Sequence, residues 1–415
     1  MSDVFLSAGL RTPFVKAGGV YARHSALEMS IPIVQRMCAQ ARPDLLVWGQ
    51  VIPDPNLSNI ARELVFEAGL EPTIPAYSTV LACSTSFIAT LQAAGLIGRG
   101  GVHLALVGGV ESMSHVPIAV KYSVTERLLG EFASNPAAAL ESLKKLTPAD
   151  FDLPTKGWAN RVSGRTMGEH MEDTAKELGI SREEQDRRAL LSHQGALHGQ
   201  DSGFFRDLIL PFAGIDHDTF PRRDTSLEKL AKLPAVFDRA SGSITAGNSS
   251  PLTDGAASIW VGDSEGLARL GAKPAVKLVD WEVNAVDFRI DGMLMAPARA
   301  IPRLLARHRL RAEEIALWEI HEAFAAQLIA NLEAAADPVY RHEKARVDFD
   351  IGTFPMDRIN PNGGSIALGH PFGATGARIL SQAVKELTAM PAASLGAVSV
   401  CADGGQGTVA LLQRV

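Results

Sequence analysis

Cysteine is scarce in this 415-residue chain, which has only Cys38, Cys83 and Cys401. So odd and sparse a set does not make a disulfide framework, and no CxxC pair or Cys/His spacing marks a zinc site, so no metal is expected. It suits a reducing compartment, and the expected location is the cytoplasm. Aromatic residues are few as well, at 6%. Basic residues are not in excess: 40 Lys and Arg stand against 46 Asp and Glu, a net charge of −6. That balance argues against a nucleic-acid partner, whose phosphates require a clustered basic surface. Long apolar runs are missing, so no segment reads as a membrane span. The opening MSDVFLSAGLRTPF shows neither a basic leader nor an apolar signal core, and the closing LLQRV shows no peroxisomal tripeptide.

What is present is the composition of a large globular protein, 46% hydrophobic and 21% charged. Strand-like runs at Val4–Ala8, Leu45–Trp48, Ala76–Ala82 and Val102–Val107 alternate with helical patterns such as Asn59–Ala68 and the stretch carrying Phe87, Leu91, Ala94 and Ile97. This alternation predicts an α/β fold. From Ala119 to Asp238 the texture changes to charged, helix-rich sequence broken by prolines, and Ser181 with Glu184 reads as a capping box. We read residues 1–118 as the first part of an N-terminal half, 119–238 as a helical insertion, 239–270 as the return of that half, and 271–415 as a C-terminal half. Strands are expected again at Ala256–Val261, Ala275–Val279, Ile315–Ile320, Ala397–Cys401 and Gly407–Leu412, with a helix carrying Phe324, Leu328 and Leu332. Both Cys83 and Cys401 follow β-rich apolar runs, a weak hint of duplication.

Three segments carry chemistry. Cys83 lies in VLACSTSFIATLQAAGLI, where a strand should feed a buried helix whose free N-terminal amides favour a thiolate. The competing reading is a buried structural cysteine. Residues 360–378, NPNGGSIALGHPFGATGAR, hold five glycines around His370, which is fixed between Gly369 and Pro371. This is neither a P-loop nor a dinucleotide fingerprint. A histidine so held suits a base that accepts a thiol proton, although a loop histidine bonded to a carbonyl is the plainer alternative. Cys401 leaves a strand into Asp403-Gly404-Gly405, where free amides can meet an anionic oxygen; a cysteine beside a hairpin turn reads equally well.

Together and in this order, the three segments resemble the thiolase superfamily. The resemblance extends through RTPF (11–14), GGVESMS (108–114), TMGEHMEDTA (166–175), TAGNSSPLTDGAA (245–257) and HEAFAAQ (321–327), and so covers nearly the whole chain. It implies a thiolase fold, two similar βαβαβαββ-type halves in a layered αβαβα arrangement with an inserted helical loop domain. It implies an acyltransferase without a permanently bound cofactor, using coenzyme A as co-substrate and cleaving 3-ketoacyl-CoA to acetyl-CoA and a shortened acyl-CoA. Cys83 then becomes the acyl-accepting nucleophile, His370 its base and Cys401 the acid/base at the α-carbon. One oxyanion falls to His370 and a water held by His321, the other to the backbone amides of Cys83 and Asp403. Met167 and Ser250 fall where the family lines its pantetheine tunnel, and Arg222 and Arg223 are candidates for phosphate.

Two departures bear on this expectation. His321 stands where many thiolases have Asn, a form similar to the β-subunits of fatty-acid-oxidation complexes, as are residues 59–70 and 108–118. Asp403 stands where most thiolases have Gly, which puts a carboxylate beside an oxyanion hole. By the same resemblance a homodimer or homotetramer is expected, with a hydratase/dehydrogenase subunit as candidate partner. The amphipathic stretch Lys121–Lys145 is the candidate contact with that partner or, peripherally, with a membrane. The competing readings are a short-chain acetoacetyl-CoA-forming enzyme, a decarboxylating synthase using Cys83, His321 and His370, and a non-catalytic acyl-CoA binder.

Overall fold

The computed structural model describes residues 2–152, 159–271 and 273–415, so residues 153–158 of the anticipated insertion lie outside the described residues. The first strands are β1 (Phe5–Arg11), β2 (Val15–Lys16), β3 (Leu45–Gln50), β4 (Ala76–Tyr77) and β5 (Leu104–Glu111). A small ribbon of β6 (Ala119–Val120) and β7 (Phe151–Asp152) follows, then β8 (Thr253–Gly262), β9 (Val276–Ala285), β10 (Leu317–Ile320), β11 (Leu395–Ala402) and β12 (Gln406–Arg414).

Across the main sheet the order is β10-β11-β12-β9-β1-β8-β5-β3-β4, with β2 beside β8. The long strands of the first half, β1, β3, β5 and β8 in chain order, lie as β3-β5-β8-β1. Those of the second half, β9 to β12, lie as β10-β11-β12-β9. The two halves therefore share one topology, and in each the parallel pair comes first (β3 with β5, β10 with β11). They join antiparallel along their first strands, where Phe5 faces Lys277 and Leu6 faces Val276.

Strand alternation sorts the side chains into layers. In the first half, Leu45, Val47, Ala105 and Val107 face two central helices, Thr85–Gly98 and Thr375–Thr388. Their neighbours Leu46, Trp48, Leu104 and Leu106 face outer helices Ala26–Cys38 and Ile60–Glu67. In the second half Val398 and Val400 turn to the centre, while Ala397, Val409 and Leu411 turn to outer helices Ala296–His308 and Ala325–Ala336. Burial on both faces is why these strands read as continuous apolar runs. The result is the five-layered αβαβα arrangement. The central helices approach so closely that a Cβ on Gly376 would stand 2.3 Å from the Phe87 nitrogen.

Between β5 and β8 the chain forms helices Tyr122–Ser134, Pro136–Leu143, Met167–Glu177, Arg182–Asp201 and Leu227–Ala231. The Ser181–Glu184 capping box is present, and Thr166 with Glu169 makes a second. On the helix pair 122–143, Leu129, Phe132, Leu140 and Leu143 are exposed. Among the described residues no helix is long and apolar enough to cross a membrane. One strand expectation fails locally: the run anticipated at Ala76–Ala82 stops at Tyr77, and Ala82 takes a left-handed φ of 44°. The chain there turns to aim the next side chain inward.

Candidate active site

Cys83 stands in the turn that launches the central helix Thr85–Gly98. The Thr85 hydroxyl pins this turn, accepting from Leu81 N–H (2.8 Å) and donating to the Ala82 carbonyl (2.8 Å). Ser84 donates to the Val400 carbonyl at 3.2 Å, tying the turn to β11 in the other half. Ser86 accepts from Ala377 N–H at 2.8 Å, which locks the starts of the two central helices together. That second helix is preceded by the loop holding His370.

His370 presents its Nε2 to the Cys83 sulfur at 3.1 Å. Its backbone N–H donates to Thr253 Oγ1 (2.9 Å), and its ring Nδ1 lies 2.6 Å from Thr375 Oγ1. The Thr375 hydroxyl proton goes to the Pro371 carbonyl at 3.0 Å, so toward the ring this oxygen accepts. Nδ1 therefore carries the ring proton, and Nε2 turns a lone pair to the thiol.

His321 stacks obliquely on His370, ring centres 4.1 Å apart. Its Nδ1 lies 2.9 Å from Ser365 Oγ, which already accepts from Arg378 at 2.8 Å. Among the described residues the Ser365 proton has Nδ1 as its acceptor, which assigns the His321 proton to Nε2. That Nε2 is buried and unpartnered among the described residues. Two adjacent histidines thus offer opposite faces, an acceptor at the sulfur and a donor beside it.

Cys401 is buried near the end of β11, and Gly404 and Gly405 carry the chain into β12 with φ of 82° and 74°. The backbone N–H groups of Asp403 and of Cys83 itself act on the Cys83 sulfur in favour of its charged form. The Asp403 carboxylate is paired: Asn160 donates to it at 2.9 Å and Gly404 N–H at 2.6 Å. Its charge still acts on the site. The expected pull of free amides toward the thiolate is present, from Asp403 and Cys83, but it is outweighed. Burial first, and the Asp403 carboxylate second, push the thiol up to about 12 against the pull of those amides. Burial also raises Cys401 and drives His370 down to about 3, with Arg378 adding to the latter. The resting pair is a neutral thiol and a neutral imidazole.

The substrate-binding candidates divide. Met167 packs in the apolar cluster that contains Cys401, Phe288 and Phe324. Ser250 spends its hydroxyl on the Ala323 carbonyl at 3.0 Å, while its neighbours Ser249 and Pro251 line a cavity of about 190 Å³. Arg222 lines the same cavity with His193 and Lys229, neither of which stood out in the sequence. Arg223 is turned away into an ion pair with Asp201 (2.9 Å). None of Cys83, His321, His370 or Cys401 lines that cavity, which lies to one side of the sulfur.

Three further residues were missed. Glu111 is fully buried and accepts from Val51 (3.1 Å), Ile52 (3.0 Å) and Gly373 (3.1 Å), stapling the His370 loop to the first half. Burial raises its carboxyl to about 7, against the pull of those three amides. Glu322, beside His321, accepts from Arg188 (2.7 Å), Ser192 (2.6 Å) and Asn360 (2.8 Å), joining the insertion to the catalytic loops. Asn160 does the same for the Asp403 turn. A lone Glu inside GGVESMS or HEAF was the available signal, but its partners lie far away in sequence.

The thiolase N-terminal domain family model matches residues 4–264 and the C-terminal domain model matches residues 272–414. The chain belongs to the thiolase family. This thiolase is 37% identical over 422 residues to the 3-ketoacyl-CoA thiolase of Yersinia enterocolitica, covering 99% of the chain and 96% of that relative. It is also 37% identical over 417 residues to the 3-ketoacyl-CoA thiolase of Yersinia pestis, covering 98% and 95%. Among solved structures, the acetyl-CoA acetyltransferase of Bacillus anthracis superposes with a TM-score of 0.83 at 29% identity, over 100% of this chain and 99% of that one. A thiolase from Ascaris suum in complex with coenzyme A gives 0.80 at 25% identity, over the whole of both chains. This thiolase is accordingly an acyltransferase that handles coenzyme A thioesters.

Proposed function

We propose that this thiolase cleaves 3-ketoacyl-CoA with free CoA through an acyl-enzyme on Cys83, in the oxidation of fatty acids. The observation that carries this reading is the 3.1 Å approach of the His370 Nε2 lone pair to the Cys83 thiol. His370 takes the thiol proton as the sulfur attacks the 3-keto carbon, so no standing thiolate is required. The tetrahedral oxyanion meets the amides of Cys83 and Asp403. Collapse breaks the bond between C2 and C3, and the acetyl-CoA enolate takes a proton from Cys401. The newly protonated His370 and a water held by His321 Nε2–H stabilise the enolate oxygen. The thiol of incoming CoA gives its proton to Cys401, its sulfur takes the acyl group, and Cys83 recovers its proton from His370.

The insertion, read as residues 119–238, covers CoA, with Arg222 and Lys229 rather than Arg223 facing the nucleotide phosphates. Met167 and Ser250 border the pantetheine path. We further infer a homodimer or homotetramer and a cytoplasmic location, which three free cysteines suit. The exposed Leu129, Phe132, Leu140 and Leu143 support docking of a hydratase/dehydrogenase subunit on the 122–143 helix pair.

Thiolysis of 3-ketoacyl-CoA from four to sixteen carbons, beside a Cys83→Ala control, tests the assignment. Activity that rises with chain length and vanishes in the control is expected. Turnover confined to acetoacetyl-CoA would replace it with the short-chain reading, and absence of a covalent acyl adduct on Cys83 would replace it with the binder.

A further inference from the structure

We propose that the catalytic cluster is also a site for a borderline-soft divalent cation such as Zn²⁺, which shuts the enzyme off reversibly by occupying Cys83. The inhibitory consequence rests on the acyl-transfer reading; the site itself rests on geometry. The Cys83 sulfur and one ring nitrogen each from His321 and His370 lie within 4.8 Å of one another. One thiolate and two imidazoles are a donor set that zinc prefers, and three protein ligands with an open fourth position match its tetrahedral habit. Such a site requires distances of ~2.3 Å to sulfur and ~2.0–2.1 Å to nitrogen, so the three ligand atoms, now within 4.8 Å of one another, would draw in around the ion.

The same Nε2 of His321 that serves the enolate is buried and without a partner among the described residues, so it is open to a metal when no substrate is bound. Both rings are already oriented from behind, His370 by Thr375 Oγ1 and His321 by Ser365 Oγ, as ligating histidines are. Charge of both signs surrounds the cluster: the carboxylates of Asp403 and Glu111 act on the Cys83 sulfur, while the Arg378 guanidinium acts on both rings. Asp403 and His321 are the two positions at which the sequence departs from the thiolase pattern, and the charge of the first acts on the sulfur while the second supplies a ligand. The linear sequence hides the site, because its ligands sit at positions 83, 321 and 370 and only the packing of the two halves collects them.

Binding involves no redox change. The cation sheds waters and keeps one, and the Cys83 thiol releases its proton to solvent as the metal–sulfur bond forms. His370 bonds through its free lone pair. The His321 proton moves from Nε2 to Nδ1, the Ser365 hydroxyl turning from donor to acceptor, and Nε2 bonds the metal.

The test uses the full-length, chelator-treated protein titrated with Zn²⁺ and, for a spectroscopic signature, Co²⁺. One equivalent is expected to bind, to give a thiolate-to-cobalt charge-transfer band, and to shield Cys83 from iodoacetamide until EDTA is added. Asp403→Asn is expected to weaken Zn²⁺ by ~10-fold and His321→Ala by on the order of 100-fold, with a native circular-dichroism spectrum and cooperative unfolding of His321→Ala as evidence that it is folded. Absence of the band, or equal zinc affinity in Cys83→Ser, overturns the proposal. Thiolysis measured separately in EDTA keeps the two readings apart: no turnover there with the band intact removes the acyl-transfer reading and leaves the metal site standing.

Discussion

At the scale of single residues, the decisive feature is that Cys83 rests as a thiol. With the thiol pushed up to about 12, a thiolate would be a rare species near neutral pH, and the proton leaves only as His370 receives it. Asp403 contributes to this by its charge, since a nearby anion disfavours a second one. Replacing it with Asn keeps the backbone amide and the cap on Gly404 but removes the charge, so the Cys83 pKa must fall. Iodoacetamide reacts with the thiolate, and its rate against pH therefore reports the shift. A fall of one unit makes Asp403→Asn react ~10-fold faster at pH 8. Equal rates in the two proteins would mean that burial alone sets the thiol and that the carboxylate is screened by Asn160. The nucleophile, its base and the second cysteine were expected through the resemblance of three segments to the thiolase superfamily, because each by itself left a plainer structural reading open. Asn160, Glu111 and Glu322 were not, because each acts through partners tens to hundreds of positions away.

At the scale of elements, the site depends on how two helix starts meet. Ser86 and Ala377 bond across the interface, and Gly376 allows the contact because any Cβ there would strike the Phe87 backbone at 2.3 Å. Gly376→Ala forces the helices apart at the point where one positions Cys83 and the other follows His370. Overpacking of this kind typically costs ~1–3 kcal/mol. A lowered denaturation midpoint together with a reduced kcat is the expected result. Unchanged stability would show that the helices slide past each other without loss, and a normal kcat in a destabilised protein would show that the sulfur and imidazole do not depend on that register. The strands were readable as runs of apolar residues, and the helix carrying the Ser181 capping box was readable from its cap. The run at 76–82 misled because a short run of apolar and β-branched residues looks alike whether it is a strand or a turn, and here it is a half-buried turn with Val80 exposed. The left-handed Ala82 and the bracing by Thr85 arise from the need to aim Cys83, which periodicity does not record.

At the scale of the whole molecule, the two halves repeat one strand order although their sequences scarcely resemble each other. The short edge strand of the first half, β4, pairs with β3 through Leu46 and Ala76. Its counterpart in the second half shrinks to a single bridge between Trp318 and Ile359, which is one reason the repeat was faint in the sequence. The catalytic group is divided between the halves: Cys83 comes from the first, and His321, His370 and Cys401 from the second. What unites them is the central apolar layer, where Phe87 and Leu91 of one half share a cluster with Ala377, Ile379 and Leu380 of the other. A layer of this kind is a core rather than a surface, so neither half can bury its central helix alone. Breaking the chain between residues 271 and 272 and co-expressing the two pieces is therefore expected to give a tight complex with thiolase activity, while residues 272–415 alone aggregate. Co-purification and thiolysis of acetoacetyl-CoA read the outcome. A soluble, monomeric second half would show that the central layer is dispensable to its fold, and a tight but inactive complex would show that continuity of the chain, not packing, sets the distance from His370 to Cys83.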